Sequence, residues 1–273
     1  MQSDTGDIFR QVKHALEDGR EVLFTSTPCQ VAGLKAYLDR DYANLITCDF
    51  VCHGVPSPEL FRSYVHRKFD ALGRTDASDY TFRDLANWGY HCALKFPDGE
   101  SVFETYSDEY MQPFLAGLNF REGCYQCSFA QERRCADITI GDFWGVGNCS
   151  VNRARFAQGV SLILVNSVRG QELLLRCADG LTLERYPWWT LADNGQLHSP
   201  SRRPRLRDSF YKDYGKLSPG DFAMKYGLVQ ISRRSIIRRG ARLVRDFVKR
   251  SKRCVNIIRV CLWRMNLRKE GAF

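Results

Sequence analysis

Glu21-Val22-Leu23-Phe24-Thr25, then Ser26-Thr27-Pro28-Cys29-Gln30, then Val31 to Leu38: an apolar run, a turn and a helical pattern follow one another without a gap. The run is short and apolar and reads as a buried strand, while Val31 to Leu38 repeats its apolar residues at helical spacing. A second unit repeats the arrangement. Leu45 to Val51 is an apolar strand of the parallel-sheet kind. After Cys52-His53-Gly54, the pair Ser57-Pro58 supplies an N-cap and first turn for a helix running to about Ala71. Upstream, Ile8 to Leu16 has helical periodicity, with Gly19 as its stop. This alternation predicts an α/β fold. Cys29 and Cys52 then lie just past the carboxyl ends of two strands and ahead of two helices, where open α/β sheets put their ligand sites.

Further along, the pattern changes to shorter strands. Pro97-Asp98-Gly99-Glu100 reads as the turn of a hairpin between Ala93 to Phe96 and Val102 to Tyr106. A helix through Tyr110 to Leu118 leads into Cys124-Tyr125-Gln126-Cys127, followed by strand-like Ile138-Thr139-Ile140 and the loop Gly141-Asp142-Phe143-Trp144-Gly145. Val160 to Asn166 and Gly170 to Cys177 form another βα pair, and a last strand is expected near Leu181 to Arg185. The expected architecture is a mixed sheet with βα units, an added antiparallel hairpin region and a basic helical tail. Its divisions are a domain over 1–193, a Ser-, Pro-, Arg- and Gly-rich connector over 194–230, and a cationic amphipathic tail over 231–273.

With 273 residues, 44% of them hydrophobic, the chain can bury a sizeable core, which excludes full disorder. The eleven cysteines are odd in number and the start Met1-Gln2-Ser3-Asp4 has no basic region ahead of an apolar core, so a reducing cytoplasm is expected. No stretch approaches the roughly 20 uninterrupted apolar residues of a transmembrane helix. The net charge of +9 belongs to the tail, where residues 231–270 carry fourteen Lys and Arg against Asp246 and Glu270. Ile236, Ile237, Leu243, Val244, Phe247 and Val248 recur there at near-helical spacing among basic residues. Such a face suits the anionic inner surface of a membrane, an acidic partner or packing on its own domain. Without interleaved aromatic platforms, nucleic acid is a minor reading.

Cys29, Cys52, Cys124 and Cys127 sit in three short, turn-rich settings and form the main candidate site. Four thiolates suit a structural zinc ion or an iron–sulfur cluster. Zinc ribbons usually pair two Cys-x-x-Cys knuckles, whereas here only Cys124 and Cys127 are paired. A cubane cluster, being larger, can collect ligands from several loops. A helix start at Cys29 would favour its thiolate. Cys135 is the substitute ligand, while Cys48 and Cys177 read as small buried hydrophobes and Trp144 as core. Gln30, His53 and Asp142 are the candidates for facing a cofactor, each weighed against a local role in its turn. No acid, base or nucleophile is assigned, since His14, His66, His91 and His198 lack ligand spacing and no Ser/His/Asp order supports a hydrolase.

Three segments in order, Val22 to Lys35, Cys52 to Pro58 and Arg121 to Gly145, resemble the C-terminal domain of the beta subunit of coenzyme F-420 hydrogenases and dehydrogenases, over about residues 3–185. The resemblance implies an iron–sulfur oxidoreductase or electron-transfer subunit, passing electrons between a redox partner and a flavin or deazaflavin-type acceptor. Cys29, Cys52, Cys124 and Cys127 stand at the positions of the ligands of a [4Fe–4S] cluster. Members also include a chlorophyll-metabolism reductase and bacterial proteins encoded near polysaccharide genes, so the fold does not fix the substrate. Two departures stand out. Ser26 replaces the family's usual Gly, and Met1 begins after an upstream Ser- and Gly-rich segment that resembles part of a flavin site, so the expectation of FAD is weaker than that of the cluster. The alternatives are a non-catalytic, zinc-stabilised interaction module in a surface-polysaccharide pathway at the membrane, and a fragment that binds no cofactor.

Overall fold

The computed structural model describes residues 4–82, 92–104, 109–148 and 159–227. In chain order its main elements are α1 (Ile8–Glu17), β1 (Val22–Thr25), α2 (Pro28–Leu38), β2 (Leu45–Phe50), α3 (Pro58–Leu72), β3 (Asp79–Thr81), β4 (Cys92–Lys95), β5 (Ser101–Glu104), α4 (Met111–Leu115), β6 (Ile138–Asp142), β7 (Ser161–Val165), α5 (Val168–Arg176), α6 (Arg207–Asp213) and α7 (Pro219–Lys225). The fold is the mixed α/β architecture read from the sequence.

Four strands form one sheet in the order β1, β2, β6, β7. The first three are parallel and β7 closes the edge antiparallel to β6. Phe24 pairs with Thr47, Asp49 with Thr139, and Ile140 with Phe50 and Ile163. A separate antiparallel sheet holds β3, β4 and β5, with Leu94 opposite Val102 in the expected hairpin. Helix starts follow the local chemistry. Ser57 Oγ accepts from the Leu60 N–H at 3.3 Å, and Gly73 ends α3 in the left-handed region.

One face of the larger sheet packs under α1 and α2, where Val12, Leu16, Phe24, Val31, Leu34, Leu38 and Leu45 form a core. Each such side chain contributes roughly 1.5–3 kcal/mol by burial. On the opposite face Leu23, Phe50, Ile140 and Val165 are exposed, although the strands of Leu23 and Phe50 read as apolar and buried. Leu181 to Arg185 joins no strand; Leu181 and Leu183 are exposed and the stretch is irregular. Cys177 is exposed too, because it caps the end of α5 instead of facing inward. Residues up to Tyr226 belong to one compact unit, so most of the segment read as a connector is packed, with Phe210 and Phe222 fully or almost fully buried. The cationic tail 231–273, Cys149, Cys254, Cys261 and His91 lie outside the described residues. Among the described residues no helix is long and apolar enough to cross a membrane.

Beneath the sheet, polar groups are paired. Asp137 accepts from the Thr47 N–H at 2.8 Å, the Thr47 hydroxyl at 2.6 Å and the Ser167 hydroxyl at 2.6 Å. Burial alone would raise its carboxyl pKa, but the hydrogen bonds from Ser167 and Thr47 outweigh it and hold the group below the usual range. A depressed folded-state pKa stabilises the fold above the ordinary carboxylate value of about 4, and that stabilisation is lost as pH falls through the folded value. Asp137→Asn is therefore expected to lose about 1–3 kcal/mol at neutral pH and to flatten the acid limb of stability. Denaturant titrations followed by circular dichroism at several acid pH values check it.

Candidate metal centre

Three loops bring the four cysteines together. The first follows β1: Thr27 enters α2 with Pro28 at its first position, which sets Cys29 in the first turn, exposed. Thr27 Oγ1 lies 3.2 Å from Cys29 Sγ. The second follows β2 and carries Cys52. The third is the short 3₁₀ turn Glu122–Gln126, which holds Cys124 and leads to Cys127.

Backbone pairing locks the second loop to the third. Pro56 bridges to Phe120, and the Arg121 N–H donates to the Val55 carbonyl at 2.9 Å. Gly54, at φ +141°, lets the loop lie flat on Phe120; a Cβ there would stand 2.5 Å from the ring. Phe120 is fully buried, stacks on Tyr125, and meets His53 and Phe114 edge-on. Tyr125 donates its hydroxyl to the Gly117 carbonyl at 2.5 Å, and the Arg207 guanidinium reaches the Phe120 carbonyl at 3.0 Å. The turn bearing Cys124 is thus held from both sides.

Electrostatics register the convergence. Burial pushes the Cys52 thiol up to about 11, with the charges of Cys124, Cys29 and Cys127 adding to the rise, while the Gly54 N–H hydrogen-bonded to its sulfur opposes it. Cys124 is raised by burial as well, and by Cys127 and Cys29, against a hydrogen bond from the Val55 N–H and the nearby Arg121 charge. Two backbone N–H groups therefore bind sulfurs in this cluster, a donor pattern that favours thiolates. Among the described residues, no three Cys, His, Asp or Glu side chains are grouped as a single metal ion requires.

The other sequence candidates have local partners. Gln30 Oε1 accepts from the hydroxyls of Ser26 and Thr27, so the Ser26 that departs from the family pattern engages Gln30 directly. His53 turns Nε2 toward the Leu115 carbonyl at 3.4 Å and packs between Phe114 and Phe120. Asp142 ends β6, and its carbonyl accepts from Asn194 at 2.7 Å. Trp144 is half exposed rather than core, since Gly145 next to it presses against the Thr190 carbonyl and the indole is left outside. Cys135 donates its thiol to the Pro28 carbonyl at 3.3 Å and approaches Asp49 at 3.7 Å, under the start of α2. Burial and then Asp49 raise its pKa, against the nearby charges of Arg134 and Lys35.

Sequence reasoning missed Asp49 and Arg134. Asp49 is fully buried on β2 and pairs with Arg134 at 3.0 Å, whose side chain is 2% exposed. Arg134 also donates to the carbonyls of Phe129 and Phe50, joining the chain just after Cys127 to the strand just before Cys52. The signal was an aspartate inside an apolar strand, which demands a cation that spacing alone does not identify.

Among curated proteins, none matches this chain. A solved chain from the xenon-derivatised F420-reducing [NiFe] hydrogenase complex of Methanosarcina barkeri aligns at 18% identity over 63% of this chain and 54% of that one, with a TM-score of 0.39. The chain thus spans about half the length of that relative. The family model for the C terminus of the coenzyme F420 hydrogenase/dehydrogenase beta subunit matches residues 19–187, a stretch that contains all four converging cysteines. The chain belongs to this family, defined by the C-terminal region of the coenzyme F420 hydrogenase/dehydrogenase beta subunit.

Proposed function

We propose that this chain is an electron-transfer subunit of an oxidoreductase in which Cys29, Cys52, Cys124 and Cys127 hold a [4Fe–4S] cluster. The observation that carries the reading is the convergence of four thiols from three loops, with the N–H groups of Gly54 and Val55 bonded to two of the sulfurs. Only Cys124 and Cys127 form a Cys-x-x-Cys pair, unlike the two knuckles of a zinc ribbon, and a centre that takes ligands from three loops suits an iron–sulfur cluster. Such a cluster supplies one-electron transfer when bound. The chain's own residues fix its ligands: Thr27 and Pro28 hold the first turn of α2, the Phe120 platform carries Gly54, and Arg121 adds positive charge beside Cys124.

The family is that of a subunit, which supports a redox partner protein, with a flavin or deazaflavin as the further acceptor. All eight described cysteines are free thiols, in keeping with a reducing cytoplasm; association of residues 231–273 with the inner membrane surface is a separate proposal that liposome sedimentation tests.

Anaerobic purification is the test. Iron and sulfide in equal amounts, with broad absorbance near about 400 nm bleached by dithionite, are expected. Stoichiometric zinc in colourless protein would falsify the reading. Cys52→Ser and Cys124→Ser should each reduce iron content on the order of tenfold, while Cys135→Ser should keep it, since that thiol serves Pro28 and Asp49.

A further inference from the structure

Residues 201–207 cross the two loops that carry Cys52 and Cys124. Ser201 Oγ donates to the carbonyl of His53 at 3.1 Å, beside Cys52. Arg203 Nε and Arg207 Nε reach the two carboxylate oxygens of Glu122, at 2.6 and 3.0 Å, at the start of the turn bearing Cys124. A second nitrogen of Arg203 binds Asp208 at 2.6 Å. Arg202 and Arg205 do something different: both are exposed, and among the described residues neither has a hydrogen bond or ion pair. With Arg203 and Pro204 they line an open hollow of about 490 Å³.

The chemistry favours a large anion over a small one. A small-molecule site is concave and surrounds its ligand with a few converging polar groups, whereas this hollow opens widely to solvent and is lined by one short segment. Transient protein encounters need less: complementary charge, modest area and forked donors that match carboxylates. Arginine is also among the residues that dominate interface energetics. Because the segment is bonded to both cysteine loops, whatever binds the arginines stands beside the thiol site.

We infer that the Arg202–Arg205 strap is the docking surface for an acidic electron-carrier protein. The inference rests on the redox reading of the four cysteines. Its binding is electrostatic and therefore salt-dependent.

The test uses the full, cluster-loaded chain and an acidic plant-type ferredoxin as probe, with a basic c-type cytochrome as control, by titration calorimetry at low and moderate ionic strength. Iron and sulfide content is measured first. Absence of a cluster defeats the redox reading, whereas a cluster-loaded chain that does not bind ferredoxin defeats only the docking surface. The expected result is ferredoxin binding that weakens at least about tenfold in Arg202→Glu/Arg205→Glu, as reversal of two interfacial charges implies, with cluster content unchanged. Arg238→Glu/Arg239→Glu, in the basic tail, should weaken it far less. Equal binding by the strap variant, equal affinity for the cytochrome, or loss only in the tail variant each overturns the inference. So does full displacement of ferredoxin by millimolar phosphate at constant ionic strength, which would mark a small-anion site.

Discussion

Gly54→Ala is expected to dismantle the site while adding only a methyl group. Gly54 lies at φ +141°, a conformation that L side chains rarely adopt, and its Cβ would meet three atoms of the Phe120 ring at 2.5–2.7 Å. Phe120 has no room to yield: it is fully buried, stacked on Tyr125 and flanked by Phe114 and His53. Overpacking of a fixed ring costs typically 1–3 kcal/mol, and backbone strain of order 1–3 kcal/mol adds to it. The relaxation open to the chain is to lift the Cys52 loop from Phe120, which breaks the Pro56 bridge and carries the Gly54 and Val55 N–H groups away from the sulfurs. Both a lower unfolding midpoint and loss of reconstitutable iron are expected. Gly99→Ala controls for the left-handed backbone alone, because a Cβ there meets nothing within 4 Å. Wild-type iron content in Gly54→Ala would contradict the account of the platform.

The second large effect is expected at Arg134. Its removal leaves the fully buried Asp49 carboxylate without its cation, and breaking one partner of such a pair costs about 3–5 kcal/mol. For a unit of this size, Arg134→Met should lower the melting temperature by roughly 10 °C. The loss is one of uncompensated charge. Asp49→Asn/Arg134→Met should therefore recover a good part of it, although Thr139, which donates to Asp49 at 2.5 Å, keeps only a neutral acceptor. Scanning calorimetry of the single and double variants decides: a double variant no better than Arg134→Met would assign the effect to the lost bonds to Phe129, Gln131 and Phe50.

Local chemistry made the βα units legible. Ser57 with Pro58 marks the start of α3, Pro28 that of α2, and the apolar run before each cysteine marks a strand, because capping and periodicity act over a few residues. The three cysteine-bearing segments were also visible, and the structure brings their thiols within electrostatic range of one another. What sequence did not reveal are partners distant along the chain. Arg134 against Asp49, and Ser201 against His53, are pairings that no local pattern encodes. Leu181 to Arg185 failed for the converse reason: strand-like composition makes no strand unless the segment pairs with a neighbour, and this stretch pairs with none among the described residues. Trp144 is half exposed at a turn where Gly145 closely approaches the Thr190 carbonyl, a contact distant along the chain.

Residues 201–207 clamp both cysteine loops and lie C-terminal to the loop residues they hold, His53, Phe120 and Glu122. On the ribosome the chain emerges N-terminus first, so all four thiols leave the exit tunnel well before Ser201, Arg203 and Arg207 can reach them. For that interval the loops are held by their own pairings, Pro56 with Phe120 and Arg121 with Val55, without the clamp. The clamp can form only once Arg207 has itself left the tunnel, so the order of synthesis makes it a late addition to loops already paired with each other.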